Sequence, residues 1–310
     1  MDQLKLFDLH CDTPAALYTN MTSLLQNPHA VSLENAEAFA EYAQIMAIWS
    51  DKIFDDENAF RNFHKTADYL MTQLECHCDR ATYVRSAEGF EKATTHAKIF
   101  LAVEDARLLC GKRDRLRVLH ARGVRFLTLV WGGESCIGGA HDTSVGLTEF
   151  GKQTVSDCFD MGIIPDISHA SVQTAADILE IAEIRKRPVI ATHSNAYAVR
   201  AHTRNLRDEQ FKAVKKSGGI VGISFHNDHL CDGKARPKDI IAHIEHYLSL
   251  GGENTVAFGS DFDGADLPPK MKHPSDMICL ADELAKLNYS DDQIRKLFYE
   301  NARNFVSSNL

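Results

Sequence analysis

Eight apolar, β-branched runs, separated by stretches of helical periodicity, leave this chain few folds to choose from. The runs are Leu4–His10, Ile45–Ser50, Lys98–Glu104, Val124–Val130, Ile163–Ser168, Pro188–Ser194, Ile220–Phe225 and Thr255–Phe262. They are nearly continuous in hydrophobicity, the pattern of strands covered on both faces. Helical periodicity occupies Leu33–Ala43, Ala59–Leu74, Asp105–Ala121, Thr148–Met161 and Ser171–Ile184. Near the end, Ser290 and Gln293 form a capping-box start, and Ile294, Leu297, Phe298 and Phe305 then keep one apolar face. Strands alternating with helices predict an α/β fold with a parallel sheet. Eight such units close a (β/α)8 TIM-like barrel more naturally than they extend an open sheet. The stretch from Trp49 to Ala97 is longer than one crossover needs and predicts an extra helical insertion after the second strand. No linker or charge block divides the chain, so residues 1–310 read as a single domain.

Composition narrows the function. A net charge of −9 without a basic stripe argues against nucleic acid as a partner. No apolar run approaches the ~18 residues of a membrane span. The residues from Met1 to Phe7 lack a signal-peptide pattern, and Asn301 to Leu310 carry no lipid-anchor signal, so a cytoplasmic location is expected. The 8 cysteines are then expected as reduced thiols. Cys76-His77-Cys78 sits in a helical pattern, where residues two apart point to different faces, and a structural role is expected.

In a barrel of this kind, catalytic groups come from the C-terminal ends of the strands. Unusual polar residues gather there. The first run ends in His10-Cys11-Asp12, and residues two apart on an extended segment share a face. His10 and Asp12 are therefore expected at the barrel mouth, with Cys11 turned away. The third run ends at Glu104, the fifth at His169, the sixth at His193, and the eighth in Asp261-Phe262-Asp263-Gly264. Each has an ordinary explanation when taken singly. With 15 histidines in the chain, one at a strand end means little. Glu104 would suit a helix N-terminus, and Asp261 or Asp263 a turn. Their convergence is harder to attribute to chance.

Imidazole and carboxylate donors without cysteine suit zinc, with manganese, cobalt and iron as alternatives. Five donors exceed the three typical of a single catalytic zinc. They fit two ions if one carboxylate bridges, and Glu104 is the natural bridge, with His10 and Asp12 on one ion and His169 and His193 on the other. Two ions ~3.5–4 Å apart lower the pKa of a shared water and polarise a carbonyl, which points to a hydrolase.

These motifs resemble the membrane (renal) dipeptidase family, zinc peptidases on an amidohydrolase-like barrel. The resemblance runs in order through nearly the whole chain. Its segments are Asp8-Leu9-His10-Cys11-Asp12-Thr13-Pro14, Val103-Glu104, Gly146-Leu147-Thr148-Glu149-Phe150-Gly151 and Asp166-Ile167-Ser168-His169-Ala170-Ser171. They continue in Thr192-His193-Ser194-Asn195-Ala196, Thr203-Arg204-Asn205-Leu206 and Gly259-Ser260-Asp261-Phe262-Asp263-Gly264. The resemblance implies a binuclear zinc metallodipeptidase with two zinc ions per chain bridged by Glu104. It implies attack by metal-bound hydroxide, Arg204 on the free C-terminal carboxylate of the substrate, and Asp261 as the group that shuttles a proton to the leaving amine. Asp263 competes with Asp261 for that role. A homodimer is the oligomeric state it implies.

The chain departs from the membrane-anchored members at one position. They carry a histidine just after the fourth strand, where this chain has Trp131, expected to contact substrate as in some microbial-type members. His141 and Glu134 lie in the same loop and are the alternatives for oxyanion stabilisation. His226 and His229 offer the donors of a third metal site, but solvated or substrate-lining side chains are the stronger expectation. Two other functions compete with the dipeptidase. One is a related barrel hydrolase acting on a lactone or β-lactam. The other is a non-catalytic barrel, which the full set of five donors argues against.

Overall fold

Apolar runs with no polar face must be covered on both sides, and in the computed structural model, described over residues 4–310, they become parallel strands. The strands are β1 (Leu6–Cys11), β2 (Tyr42–Trp49), β3 (Ala81–Val84), β4 (Ala97–Glu104), β5 (Val124–Thr128), β6 (Ile164–Asp166), β7 (Val221–Ile223) and β8 (Val256–Phe258). Their lateral order is β6-β5-β4-β2-β1-β8-β7, with β3 paired to β4. Together with the sixth run the sheet curls into the TIM-like barrel. That run, Pro188–Ser194, makes only single bridges, Ile190 to Asp166 and Ala191 to Val221. These bridges join β6 to β7 and complete the ring. Beyond them the Thr192 carbonyl crosses close to two neighbouring strands, 2.0 and 1.7 Å from where Cβ atoms at Gly222 and Gly259 would stand. Only glycine leaves room for that approach.

Side-chain alternation builds two cores. Phe7, Leu9, Ala43, Ile45, Ala47, Phe100 and Phe126 fill the barrel, closed from below by Tyr299, Ala302, Phe305 and Val306 of the last helical segment. Leu6, Met46, Ile48, Ile99, Leu101 and Val103 face outward into the layer shared with the helices. On β4 this parity puts Phe100, Ala102 and then Glu104 on the inner face. On β1 it is broken: pairing with β2 shifts register between Asp8 and Cys11. Phe7 and Leu9 fill the interior, yet His10 reaches the mouth, because an irregularity in the ladder re-aims the side chains that follow it. Cys11 is buried in the outer layer.

Between β2 and β4 the chain forms the helix Asp56–Cys76, the short strand β3 and the helix Ala87–Lys92. β3 and β5 share one edge of β4, β3 along Ala97–Phe100 and β5 along Leu101–Glu104. Three segments differ from their periodicity. Only Leu33–Ala36 of the stretch Leu33–Ala43 is helical, because Tyr42 and Ala43 are claimed by β1 on one side and β4 on the other. Asp105–Ala121 splits into a 3₁₀ turn, Ala106–Leu109, and a helix, Arg113–Ala121. The break falls at Cys110 and Gly111, with φ of 49° and 69°. The helix carrying Cys76 ends there, leaving Cys76 and Cys78 as exposed free thiols. No helix among the described residues is long and apolar enough to cross a membrane.

The barrel floor is tied by Glu41, which accepts from Lys5 at 2.7 Å and also from Lys98 and Tyr299. Burial would raise the Glu41 carboxyl, but these three donors hold it down at about 2. A carboxylate depressed in the folded state contributes stability that is present above its unfolded pKa and is lost as pH falls through the folded value. Between pH 6 and pH 3 the urea midpoint of Glu41→Gln should therefore fall less than that of the parent protein. Equal falls would remove Glu41 from the acid response.

Candidate metal centre

The mouth of the barrel gathers the five expected donors. The Glu104 carboxylate is central: its Oε1 lies 2.7 Å from His169 Nε2 and 3.5 Å from His193 Nε2, and its Oε2 lies 3.4 Å from His10 Nε2. Asp12 Oδ2 and Asp261 Oδ1 stand 3.7 and 3.9 Å from that same His10 nitrogen. β1 and β8 set this spacing, because Asp261 N–H donates to the His10 carbonyl and Asp12 N–H to that of Phe262. Three overlapping groups have metal-ligand spacing: His10, Asp12 and Glu104; Glu104, His169 and His193; and His10, His193 and Asp261. Glu104 belongs to two of them. Asp261 lies closer to these donors than a purely substrate-facing acid needs to.

All three histidines present Nε2, for a traceable reason. Asp166 accepts four hydrogen bonds, from the Thr128 and Thr192 hydroxyls at 2.7 and 2.5 Å and from the Ser168 and Thr192 amides at 2.8 and 3.1 Å. The single Thr192 proton is thus committed to Asp166. Its lone pairs remain for His193 Nδ1 at 2.8 Å and His10 Nδ1 at 3.3 Å. His169 Nδ1 faces the Trp131 carbonyl at 3.0 Å. Each ring thus commits Nδ1 to an outer partner and turns Nε2 to the centre, the orientation typical of metal histidines. Asp8 does similar work on the backbone, accepting from the His10 and Ser260 amides at 3.2 and 2.9 Å. Burial pushes the Asp8 carboxyl up to about 6. Neither Asp8 nor Asp166 was singled out by strand-end logic. Their signal was an aspartate inside an apolar run, a few residues before a ligand-type histidine.

The donor set fits a cation. His169 Nε2 and His193 Nε2 are 2.8 Å apart, and two lone pairs at that distance repel without a cation or proton between them. His10 Nε2, Asp12 Oδ1 and Glu104 Oε2 are buried without a hydrogen-bond partner. A Cβ at Gly264 would stand 1.9 Å from Asp12 Oδ2, so glycine keeps this side open. His169, Asp261 and Asp263 have φ of 69°, 66° and 66°, backbone strain of the kind that clusters at working sites. The charges agree. Burial alone would raise Glu104, but His10, His169 and His193 hold it well below the usual carboxylate range. Burial lowers His193 and His169. Burial and Glu104 raise Asp12. Burial opposes protonation of His10, yet Glu104 and Asp12 raise it well above its ordinary value. A cation would displace those protons from His10 and Asp12.

The other expected residues fall into place around a cavity of about 700 Å³ that opens onto this cluster. Arg204 lines it, 5% exposed, with both terminal guanidinium nitrogens unpartnered. Trp131 forms one wall, its ring 5.9 Å from that of His169 and 5.2 Å from Trp49. His141 also lines the cavity, and burial holds its imidazole down at about 3. Glu134 instead lies exposed, bridged to Gly139. Asp263 accepts from the Thr13 hydroxyl at 2.6 Å and the Ala30 amide at 2.7 Å, pinning the loop after β1. That separates it from Asp261.

Comparison with known proteins agrees with this geometry. Residues 1–307 match the family described as membrane dipeptidase, peptidase family M19. An uncharacterized Klebsiella pneumoniae protein in the pqqA 5′ region is 32% identical over 248 residues, 75% of this chain and 90% of that one. A crystal structure of dipeptidase AC, a metallopeptidase of family M19, superposes with a TM-score of 0.92 at 25% identity over 99% of both chains. A Rhodobacter sphaeroides metallopeptidase, liganded with a phosphinate mimic of the dipeptide L-Ala-D-Ala, has the same fold, with a TM-score of 0.90 at 24% identity over 100% of both chains.

If Asp166 sets the histidine tautomers, Asp166→Asn should weaken metal retention about 10–100-fold, read by competition with a zinc chelator. Retention should also fall as pH drops and protons compete for His10 and Asp12. An unchanged competition curve in the variant would refute the assigned role of Asp166.

Proposed function

This chain belongs to the membrane dipeptidase family and is a metallodipeptidase, and on that premise we propose that it hydrolyses dipeptides with two zinc ions bridged by Glu104. His10 and Asp12 would hold one ion, His169 and His193 the other. Residues 1–310 would form one catalytic barrel. The observation that carries the reading is the pairing, in one cavity, of this donor cluster with the unpartnered guanidinium of Arg204. When bound, zinc supplies Lewis acidity toward a carbonyl and makes water acidic near neutral pH.

The chain's own residues account for the rest. A buried arginine with two free donors suits a carboxylate, which accepts both in parallel. Arg204 binds the substrate's C-terminal carboxylate and sets the scissile bond at a fixed distance from the donors, so a tripeptide places its carboxylate too far away. Asp261 accepts the proton of the attacking water and returns it to the leaving amine. Its carboxylate faces His10 on one side and the Ser224 hydroxyl, at 3.4 Å, on the other. Trp131 provides an apolar wall for the substrate and, through its carbonyl, holds His169. Eight free cysteines fit a reducing, cytoplasmic setting.

Arg204→Met should lower kcat/KM for dipeptides on the order of a hundredfold, since the substrate carboxylate loses charge-assisted hydrogen bonds; unchanged kinetics would remove the clamp. Asp261→Asn should retain zinc while kcat falls about 10²–10⁴-fold with KM little altered. Cleavage of Ala-Ala-Ala at the rate of Ala-Ala would contradict the reading as a whole.

A further inference from the structure

The wall of the cavity around Arg204 carries more hydrogen-bond donors than one carboxylate can use. Besides His141, three imidazoles line it: His202, His226 and His229. The His226 and His229 rings stack with centroids 4.1 Å apart and 19° between planes, and His202 lies 4.7 Å from His229. Their protonation is set by the backbone. His202 Nδ1 accepts the Arg204 amide at 3.2 Å, and His226 Nδ1 accepts the Asp228 amide at 3.3 Å. In a neutral ring the remaining proton then sits on Nε2, which makes both nitrogens donors. His229 is 7% exposed, and its ring has no hydrogen-bond partner among the described residues. Burial, followed by Arg204, lowers both His202 and His229.

These rings do not form a further metal site. None of the three belongs to a group with metal-ligand spacing among the described residues, and two of the three Nδ1 atoms are already in use. Water or a polar substrate group must satisfy the Nε2 donors. The Arg204 fork takes the two oxygens of one carboxylate, and nothing in a simple apolar dipeptide accepts from the imidazoles. Asp228, which follows His226 in this wall, lies exposed at the rim. The Nε2 atoms of His202 and His226 thus add two donors to this wall beside the Arg204 fork.

We propose that His202, His226 and His229 form a second carboxylate-binding site beside Arg204, whose ring N–H groups donate to the substrate, and that it selects dipeptides with an acidic C-terminal residue. The α-carboxylate binds Arg204 and the side-chain carboxylate takes the imidazole N–H groups. This specificity rests on the dipeptidase reading above, and the test separates the two.

The test compares kcat/KM of the zinc-loaded enzyme for Ala-Glu, its neutral isostere Ala-Gln, and Ala-Leu, each with an L and a D C-terminal residue. The expected result is a Glu-to-Gln ratio of about tenfold or more for the accepted stereoisomer, the scale of one hydrogen bond to a charged group. The ratio should fall toward one in His226→Phe and in His202→Phe, with folding checked by thermal melts. Because the ratio compares two substrates on one enzyme, a general loss of activity in a variant does not affect it. Cleavage of all three substrates with a Glu-to-Gln ratio within about twofold overturns the acidic preference and leaves the dipeptidase reading intact. A ratio that survives both substitutions overturns the assignment to these histidines. No cleavage of any of the three overturns the parent reading, and this one with it.

Discussion

A carboxylate buried among three imidazoles is the constraint on which the rest of this structure turns. Glu104 is 2% exposed, and an ionised carboxylate that deep is costly unless positive charge and donors surround it. His10, His169 and His193 come from three separate staves of the barrel and reach it only because the barrel closes. Closure in turn depends on the weakest stave, where single bridges at Ile190 and Ala191 replace a ladder and glycines 222 and 259 admit the Thr192 carbonyl. The same residue, Thr192, then turns its hydroxyl toward two of the three imidazoles. Backbone closure and histidine orientation are thus one device.

Behind the donors stands a layer of buried acids that never reach the cavity. Asp166 fixes Thr192, and Asp8 fixes the irregular end of β1. Both lie within apolar strands, both are saturated with hydrogen bonds, and each sits one link from a donor side chain. Such a layer makes the centre rigid: moving one histidine disrupts a hydrogen-bond chain in a low-dielectric interior, where unpaired groups are expensive.

The cavity is chemically polarised. One end holds Asp12, Glu104 and Asp261 around converging nitrogens. Its wall also holds Arg204, with His202 two residues before it and His226 and His229 after β7. A small molecule with an anionic group at one end and a polarisable carbonyl a few bonds away matches that axis, which is the outline of a dipeptide. The aromatic side formed by Trp49 and Trp131 adds apolar surface without competing donors, apart from the unpartnered Trp49 indole N–H.

The sequence by itself determined the alternation of strands and helices, the placement of His10, Asp12, Glu104, His169, His193 and Asp261 at strand ends, and, through the spacing of motifs, the family. These are local or periodic signals: a strand buried on both faces needs continuous apolar residues, and a barrel exposes its chemistry where those residues stop. Only the tertiary structure decided that the helix at Leu33 yields to β2 by residue 42, that β1 changes phase before His10, and that Asp263 pins a loop while Asp261 faces the donors. It also decided the histidine tautomers and the donor wall around Arg204. Each of these depends on which distant group arrives to accept or donate a hydrogen bond, and periodicity along one chain carries no record of that partner.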